Sequence, residues 1–120
     1  MLDQTPGDTT IDETALSEDD ALYCAGCGHL ITRGRWRIRR NGDHEHTVFN
    51  PAGFVYRVAC FKEAPGVVTW GNPSGDFTWF KGYAWQIANC AECGVHLGWR
   101  FEDEDVFFAL IRTSLIQWED

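Results

Sequence analysis

The sequence contains no stretch approaching the roughly 18 consecutive apolar residues that a membrane-spanning helix needs. Its first twenty residues, MLDQTPGDTTIDETALSEDD, hold seven acidic side chains and no lysine or arginine. They lack both the basic start and the apolar centre of a secretory signal. On those absences we expect a cytoplasmic protein with no membrane partner. Large apolar groups are also scarce in that segment, where Asp, Glu, Thr and Ser dominate. Such a composition cannot offset its ordering entropy by burial, so 1–20 reads as an acidic disordered tail and 21–120 as a single folded domain. Positive charge is in no excess either. The formal net charge is −8, yet with the tail set aside 21–120 carries 11 acidic against 10 basic residues. A near-neutral domain has no general attraction to nucleic acid.

What is present is turn chemistry. Gly and Pro punctuate the chain at Asn41-Gly42-Asp43, Asn50-Pro51-Ala52-Gly53, Ala64-Pro65-Gly66, Gly71-Asn72-Pro73-Ser74-Gly75 and Lys81-Gly82. The runs between them are short, and Gly34–Arg39 and Gly53–Phe61 alternate in character. That spacing predicts an all-β domain of antiparallel strands. The run Val106–Ile111 reads as a buried strand followed by a short turn of helix.

Four of the five cysteines form two pairs, Cys24-Ala-Gly-Cys27 and Cys90-Ala-Glu-Cys93. In a reducing compartment two C-x-x-C knuckles point to metal. Four thiolates suit a tetrahedral zinc ion, and a site closed on all four sides is structural, with no position left for water. Gly28 and Gly94 follow the second cysteine of each knuckle, where glycine can take positive φ and aim amides at the sulfurs. Cys60 lies in an apolar run and reads as a buried thiol.

The segment Phe77-Thr78-Trp79-Phe80-Lys81-Gly82-Tyr83-Ala84-Trp85 is dense in aromatics. Read as a strand, period 2 puts Phe77 and Trp79 on one face, and likewise Trp99 with Phe101. The three tryptophans flank the second knuckle and can face one another. They fit either a tryptophan-rich core or an open cage; the indole N–H groups make a closed cluster awkward.

The run Pro73 to Trp85, followed by Cys90-Ala-Glu-Cys93-Gly-Val-His96-Leu-Gly98-Trp99, resembles the ligand-binding CULT domain of cereblon, above all its single-domain bacterial homologues. The likeness extends upstream through Gly42-Asp43-His44-Glu45-His46 and Asn50-Pro51-Ala52-Gly53. It covers nearly all of 22–115. It implies a β-tent, two antiparallel sheets meeting at a steep angle and pinned by structural zinc on Cys24, Cys27, Cys90 and Cys93. It implies a cage of Trp79, Trp85 and Trp99 for thalidomide-type glutarimides, related cyclic imides and uracil-like rings, with modified protein C-termini as a further source. The implied ligand-binding set is Asn50, Pro51, Phe77, Thr78, Trp79, Trp85, Trp99 and Phe101. Phe77 and Trp79 would offer a backbone carbonyl and N–H, and Phe101 would close the far wall. The family commonly has tyrosine where Phe101 stands, and animal cereblon has histidine where Phe77 stands. No Lon-like domain accompanies this one, so no docking to a ubiquitin ligase is expected, and the protein is expected to be a monomer.

Four other readings compete with this one. The second knuckle also resembles that of methionine sulfoxide reductase B, but Ala109 falls near the expected catalytic cysteine, so no enzyme is expected. An aromatic cage can hold a methylated ammonium, with Asp76 and Glu102 nearby. Arg33, Arg35, Arg37 and Arg39 would share a strand face that could meet single-stranded nucleic acid, although a solvated face explains them better. His44 and His46 read as a turn or sheet-edge pair rather than a second metal site.

Overall fold

The computed structural model describes residues 20–117, so the acidic tail expected over 1–20 lies outside the described residues except for Asp20. Among the described residues nine strands form two antiparallel sheets, as the turn spacing predicts. One sheet has the order β2-β1-β9, from Leu30–Arg33, Ala21–Cys24 and Leu115–Ile116. The other has the order β3-β4-β8-β7-β6-β5. Its strands are Glu45–Phe49, Val55–Phe61, Val106–Ile111, His96–Glu102, Ala84–Cys90 and Val67–Ser74 in that order. The only helical turns among the described residues are of 3-10 type, at Gly34–Trp36 and Arg112–Ser114. The second follows β8 as expected. No helix among the described residues is long and apolar enough to cross a membrane.

Both faces of the large sheet's central strands, β4, β8 and β7, are buried, which makes those strands apolar on both sides. One face carries Ala59, Phe61, Leu97 and Leu110 and packs on Leu22, Cys24 and Ile31 of the small sheet. The opposite face carries Val58, Cys60, Trp99, Phe101, Phe107 and Ala109. The pairing Cys60↔Ala109↔Trp99↔Ile87 runs straight across it. Phe80 covers this second core, and its ring meets Phe101 at 4.9 Å and Phe107 at 5.0 Å, both edge-on.

Three local expectations differ from the structure. Gly34–Trp36 is a 3-10 turn and not part of an alternating strand, because Asp20 takes both of its leading amides. Gly34 N–H donates to Asp20 O at 2.6 Å and Arg35 N–H to Asp20 Oδ2 at 3.1 Å. The arginines therefore share no strand face; Arg33 and Arg35 pair with Asp20. Gly71–Pro73 lies inside β5, where the register shifts between Trp70 and Ser74. A proline is tolerated there because β5 is an edge strand that needs no donor on its outer side. Finally, Phe77 to Phe80 is loop, with Asp76 and Phe77 in a turn.

Gly98 sets the closeness of β7 and β8. A Cβ placed there would lie 2.2 Å from Ala109 O and 2.9 Å from Leu110 Cα. Gly98→Ala should destabilise the domain by about 1–3 kcal/mol through forced backbone separation. The readout is a lowered midpoint in thermal unfolding; a wild-type midpoint would mean the strands have slack.

Candidate functional site

The first feature is the sulfur cluster. Each knuckle is a tight turn at the end of a strand, Cys24 closing β1 and Cys90 closing β6. Gly28 and Gly94 take φ of 84° and 80°, as the sequence suggests. Their amides, however, donate to the Cys24 and Cys90 carbonyls at 2.8 and 2.9 Å. The amides aimed at sulfur belong instead to Gly26 and Glu92, each 3.4 Å from the first thiol of its knuckle. All four Sγ atoms lie within 4.8 Å of one another, a group that could hold a metal ion. Burial pushes the Cys90 thiol up, but the backbone N–H groups of Cys93 and Glu92 and the neighbouring sulfurs outweigh it and bring it down to about 7. Backbone N–H groups also pull Cys27 and Cys93 down, but burial and the neighbouring sulfurs outweigh them, raising Cys93 and pushing Cys27 up to about 12. Four thiolates this close together need a cation to ionise as a set.

The second feature is a pocket of about 160 Å³ lined by Asn50, Pro51, Phe77, Trp79, Trp85, Trp99 and Phe101. Seven of the eight residues named from the sequence thus surround one cavity. Thr78 is the exception: its hydroxyl turns to Phe80 O at 3.2 Å. The walls come from different elements. Trp85 and Phe101 are register partners on β6 and β7, and Trp99 stands two residues before Phe101. Trp79 reaches in from the loop, its ring 4.6 Å from that of Trp99 at 83°. Core and cage are therefore not alternatives. Trp99 and Phe101 are buried at 8% and 1% exposure, while Trp79 and Trp85 are half-buried. Phe101 stacks on Phe107 at 5.2 Å, so the pocket's back wall is also the second core.

Two of the three indole donors are satisfied at the rim. Trp79 Nε1–H donates to Phe49 O and Trp85 Nε1–H to Asp76 O, each at 2.7 Å. Asn50 is engaged likewise, its Oδ1 accepting Phe54 N–H at 2.9 Å. Phe77 stands at the mouth, 76% exposed, with φ of 57°. This left-handed conformation is unusual for a bulky side chain. Behind Trp99 lie Tyr56 at 5.2 Å and His96 at 4.8 Å. Burial lowers the His96 pKa, against a smaller upward pull from Gly98 O, so it backs the indole as a neutral ring. The Phe49 and Asp76 carbonyls and the backing Tyr56 escaped the sequence reading, since nothing in a residue's type marks where its carbonyl points.

The remaining candidates stand apart. His44 Nδ1 lies 3.1 Å from Ile38 O and His46 Nε2 3.1 Å from Asp43 O, and neither joins the sulfur cluster. Cys60 is fully buried, and burial pushes its thiol up to about 12 despite the charge of Arg40. A thiol so held is no nucleophile at neutral pH. Iodoacetamide at pH 8 should leave Cys60 unmodified in the folded protein and label it after denaturation, read by peptide mass. Rapid labelling in the native state would contradict this burial.

These features define a class: a small two-sheet β domain with a four-cysteine cluster and an open aromatic pocket. Within it, the chain is a sequence relative of cereblon. It is 36% identical over 73 residues to Protein cereblon from Gallus gallus, covering 56% of this chain and 16% of the relative. Against Protein cereblon from Xenopus tropicalis it is 42% identical over 72 residues, 55% of this chain and 16% of the relative. The protein of that name from Drosophila virilis matches at 29% over 116 residues, 86% of this chain and 18% of the relative. The chain thus spans less than a fifth of the length of these curated relatives. The matches are consistent with a cereblon CULT domain. No protein-family model matches the chain.

Proposed function

We propose that this domain is a binding module whose aromatic pocket takes small neutral cyclic imides, namely glutarimides, uracil-like rings, or a cyclic imide at a protein C-terminus. The observation that carries the reading is an apolar aromatic pocket two of whose lining residues have unpaired backbone groups. Among the described residues, the backbone N–H and C=O groups of Phe77 and Trp79 enter no hydrogen bond. Both residues line the pocket. An imide carries a flat edge of alternating donor and acceptor between apolar ring atoms. Burying that edge unpaired costs about 1–3 kcal/mol per group, so a backbone edge that supplies both partners decides binding. The indoles supply the walls. Among the described residues no charged side chain lines the pocket, and Asp76 and Glu102 are not part of it. That favours a neutral ring over an ammonium, which gains most where a carboxylate assists the aromatic faces.

We assign zinc to the sulfur cluster. The Cys24–Cys93 and Cys27–Cys90 sulfurs are 3.8 and 3.7 Å apart. A tetrahedron with Zn–S bonds of about 2.3 Å has edges of about 3.8 Å. The ion's role is structural, joining the small sheet to the β6–β7 hairpin. Elemental analysis should find one zinc per chain, and chelation should abolish the folded circular-dichroism signal. A metal-free protein with the same unfolding midpoint would refute the assignment.

Titration with glutarimide and with uracil should quench tryptophan fluorescence in the wild type. Trp79→Ala and Trp85→Ala should weaken binding at least roughly tenfold with folding intact. Trp99→Ala should also open the core, so the first two variants are decisive. Quenching by a trimethylammonium ligand and not by either ring would overturn the reading.

A further inference from the structure

Residues 40–43 form a tight turn outside both sheets. Arg40 N–H donates to Asp43 O at 2.9 Å and Asp43 N–H to Arg40 O at 3.1 Å. The two residues between them take positive φ, 53° at Asn41 and 88° at Gly42. Asparagine and glycine are the residues that tolerate such a turn. The Arg40–Asp43 bridge is isolated and belongs to no strand ladder, so it can open locally without disturbing a sheet. Asn41 and Gly42 are exposed, and a Cβ at Gly42 would meet nothing within 4 Å. The Gly42 N–H and the Asn41 side chain enter no hydrogen bond among the described residues. An amide carbon thus stands beside a backbone nitrogen that no side chain shields and no acceptor holds.

We propose that Asn41-Gly42 is a modification site, at which the folded chain converts its own asparagine to aspartate and isoaspartate. The Gly42 nitrogen attacks Asn41 Cγ and gives up its proton, and ammonia leaves. Water then opens the resulting five-membered succinimide at either carbonyl. One side-chain amide and one water are consumed, and one carboxylate and one ammonium are formed, with no oxidant, reductant or cofactor. The other three asparagines are closed to this step. Asn50 and Asn72 precede Pro51 and Pro73, whose nitrogens carry no hydrogen to lose. Asn89 lies in β6, and the Cys90 N–H that would have to attack donates to Val95 O at 2.8 Å. The site also stands next to the contacts that hold the Trp79 loop. Arg40 pairs with Asp105, and that side chain accepts the Tyr83 hydroxyl at 2.6 Å. Conversion sets a new carboxylate one residue from Arg40, in competition with Asp105. Isoaspartate also adds a methylene to the backbone, which breaks the match between a two-residue turn and its closing pair. None of this depends on what the aromatic pocket binds.

The test incubates the full chain at mildly alkaline pH, natively and in urea, and digests it with pepsin in acid, where the ring does not form. Fragment masses should show the amide-to-acid gain at Asn41 in both samples, with Asn50, Asn72 and Asn89 unchanged in the native one. The converted native fraction, separated by anion exchange, should show the Arg40 Nε–H and Tyr83 backbone amide signals displaced in 1H–15N NMR. Asn41→Gln, which would have to close a larger ring, should show neither the gain nor the displacements after the same incubation. An Asn41 that keeps its amide in the native chain while converting in urea would overturn the proposal. So would an Asn41 unchanged in both, an equal gain at Asn89 in the native chain, or a converted fraction in which either signal keeps its wild-type position.

Discussion

The two sheets meet through a thin layer of side chains, and the four sulfurs lie at its edge, where β1 and β6 end. A domain of this size buries too little surface to hold a two-sheet arrangement comfortably by packing alone. The convergence of Cys24, Cys27, Cys90 and Cys93 is the constraint on which the rest of the architecture leans. It draws together residues more than sixty positions apart in sequence, a closure that the chain would otherwise oppose through lost conformational entropy. Backbone bonds reinforce the junction: Ala25 N–H donates to Ser114 O and Ala91 N–H to Gly66 O, both at 2.9 Å.

The knuckle also fixes the aromatic pocket. Cys90 ends the strand that begins beside Trp85, and the strand after Cys93 carries Trp99 and Phe101. Once the β6–β7 hairpin is held, three of the pocket's aromatic residues have their relative places. Trp79 is fixed differently. Its loop is fastened at the far end by Tyr83, whose hydroxyl donates to Asp105 Oδ1 at 2.6 Å, and Arg40 pairs with the same carboxylate. The guanidinium of Arg40 in turn lies 4.7 Å over the Phe107 ring of the second core. One wall of the pocket is thus sheet and the other is a loop tied down by side chains.

The sheet content, the terminal strand and turn, and the gathering of the cysteines were legible because each rests on residue type at short range. Glycine and proline report turns, and a C-x-x-C pair reports a knuckle whatever surrounds it. The errors share a cause. Phe77–Phe80 carries the aromatic density of a strand, yet Phe77 is left-handed, and backbone conformation of that kind leaves no trace in side-chain periodicity. The alternation over Gly34–Arg39 was equally persuasive, and it failed because the capping oxygens come from Asp20, outside the window. Thr78 was placed among the pocket residues by the resemblance, while its hydroxyl serves its own loop.

The binding of two indole donors by the Phe49 and Asp76 carbonyls has a consequence for solvent. With those N–H groups occupied, the walls formed by the described residues offer water little beyond aromatic faces and the Asn50 amide. Water confined against such walls forgoes hydrogen bonds it would make in bulk. The pocket is in this sense prepared by poor hydration: under the proposed function, an entering ring would release water that is already badly placed, a gain of the kind that shows as favourable enthalpy.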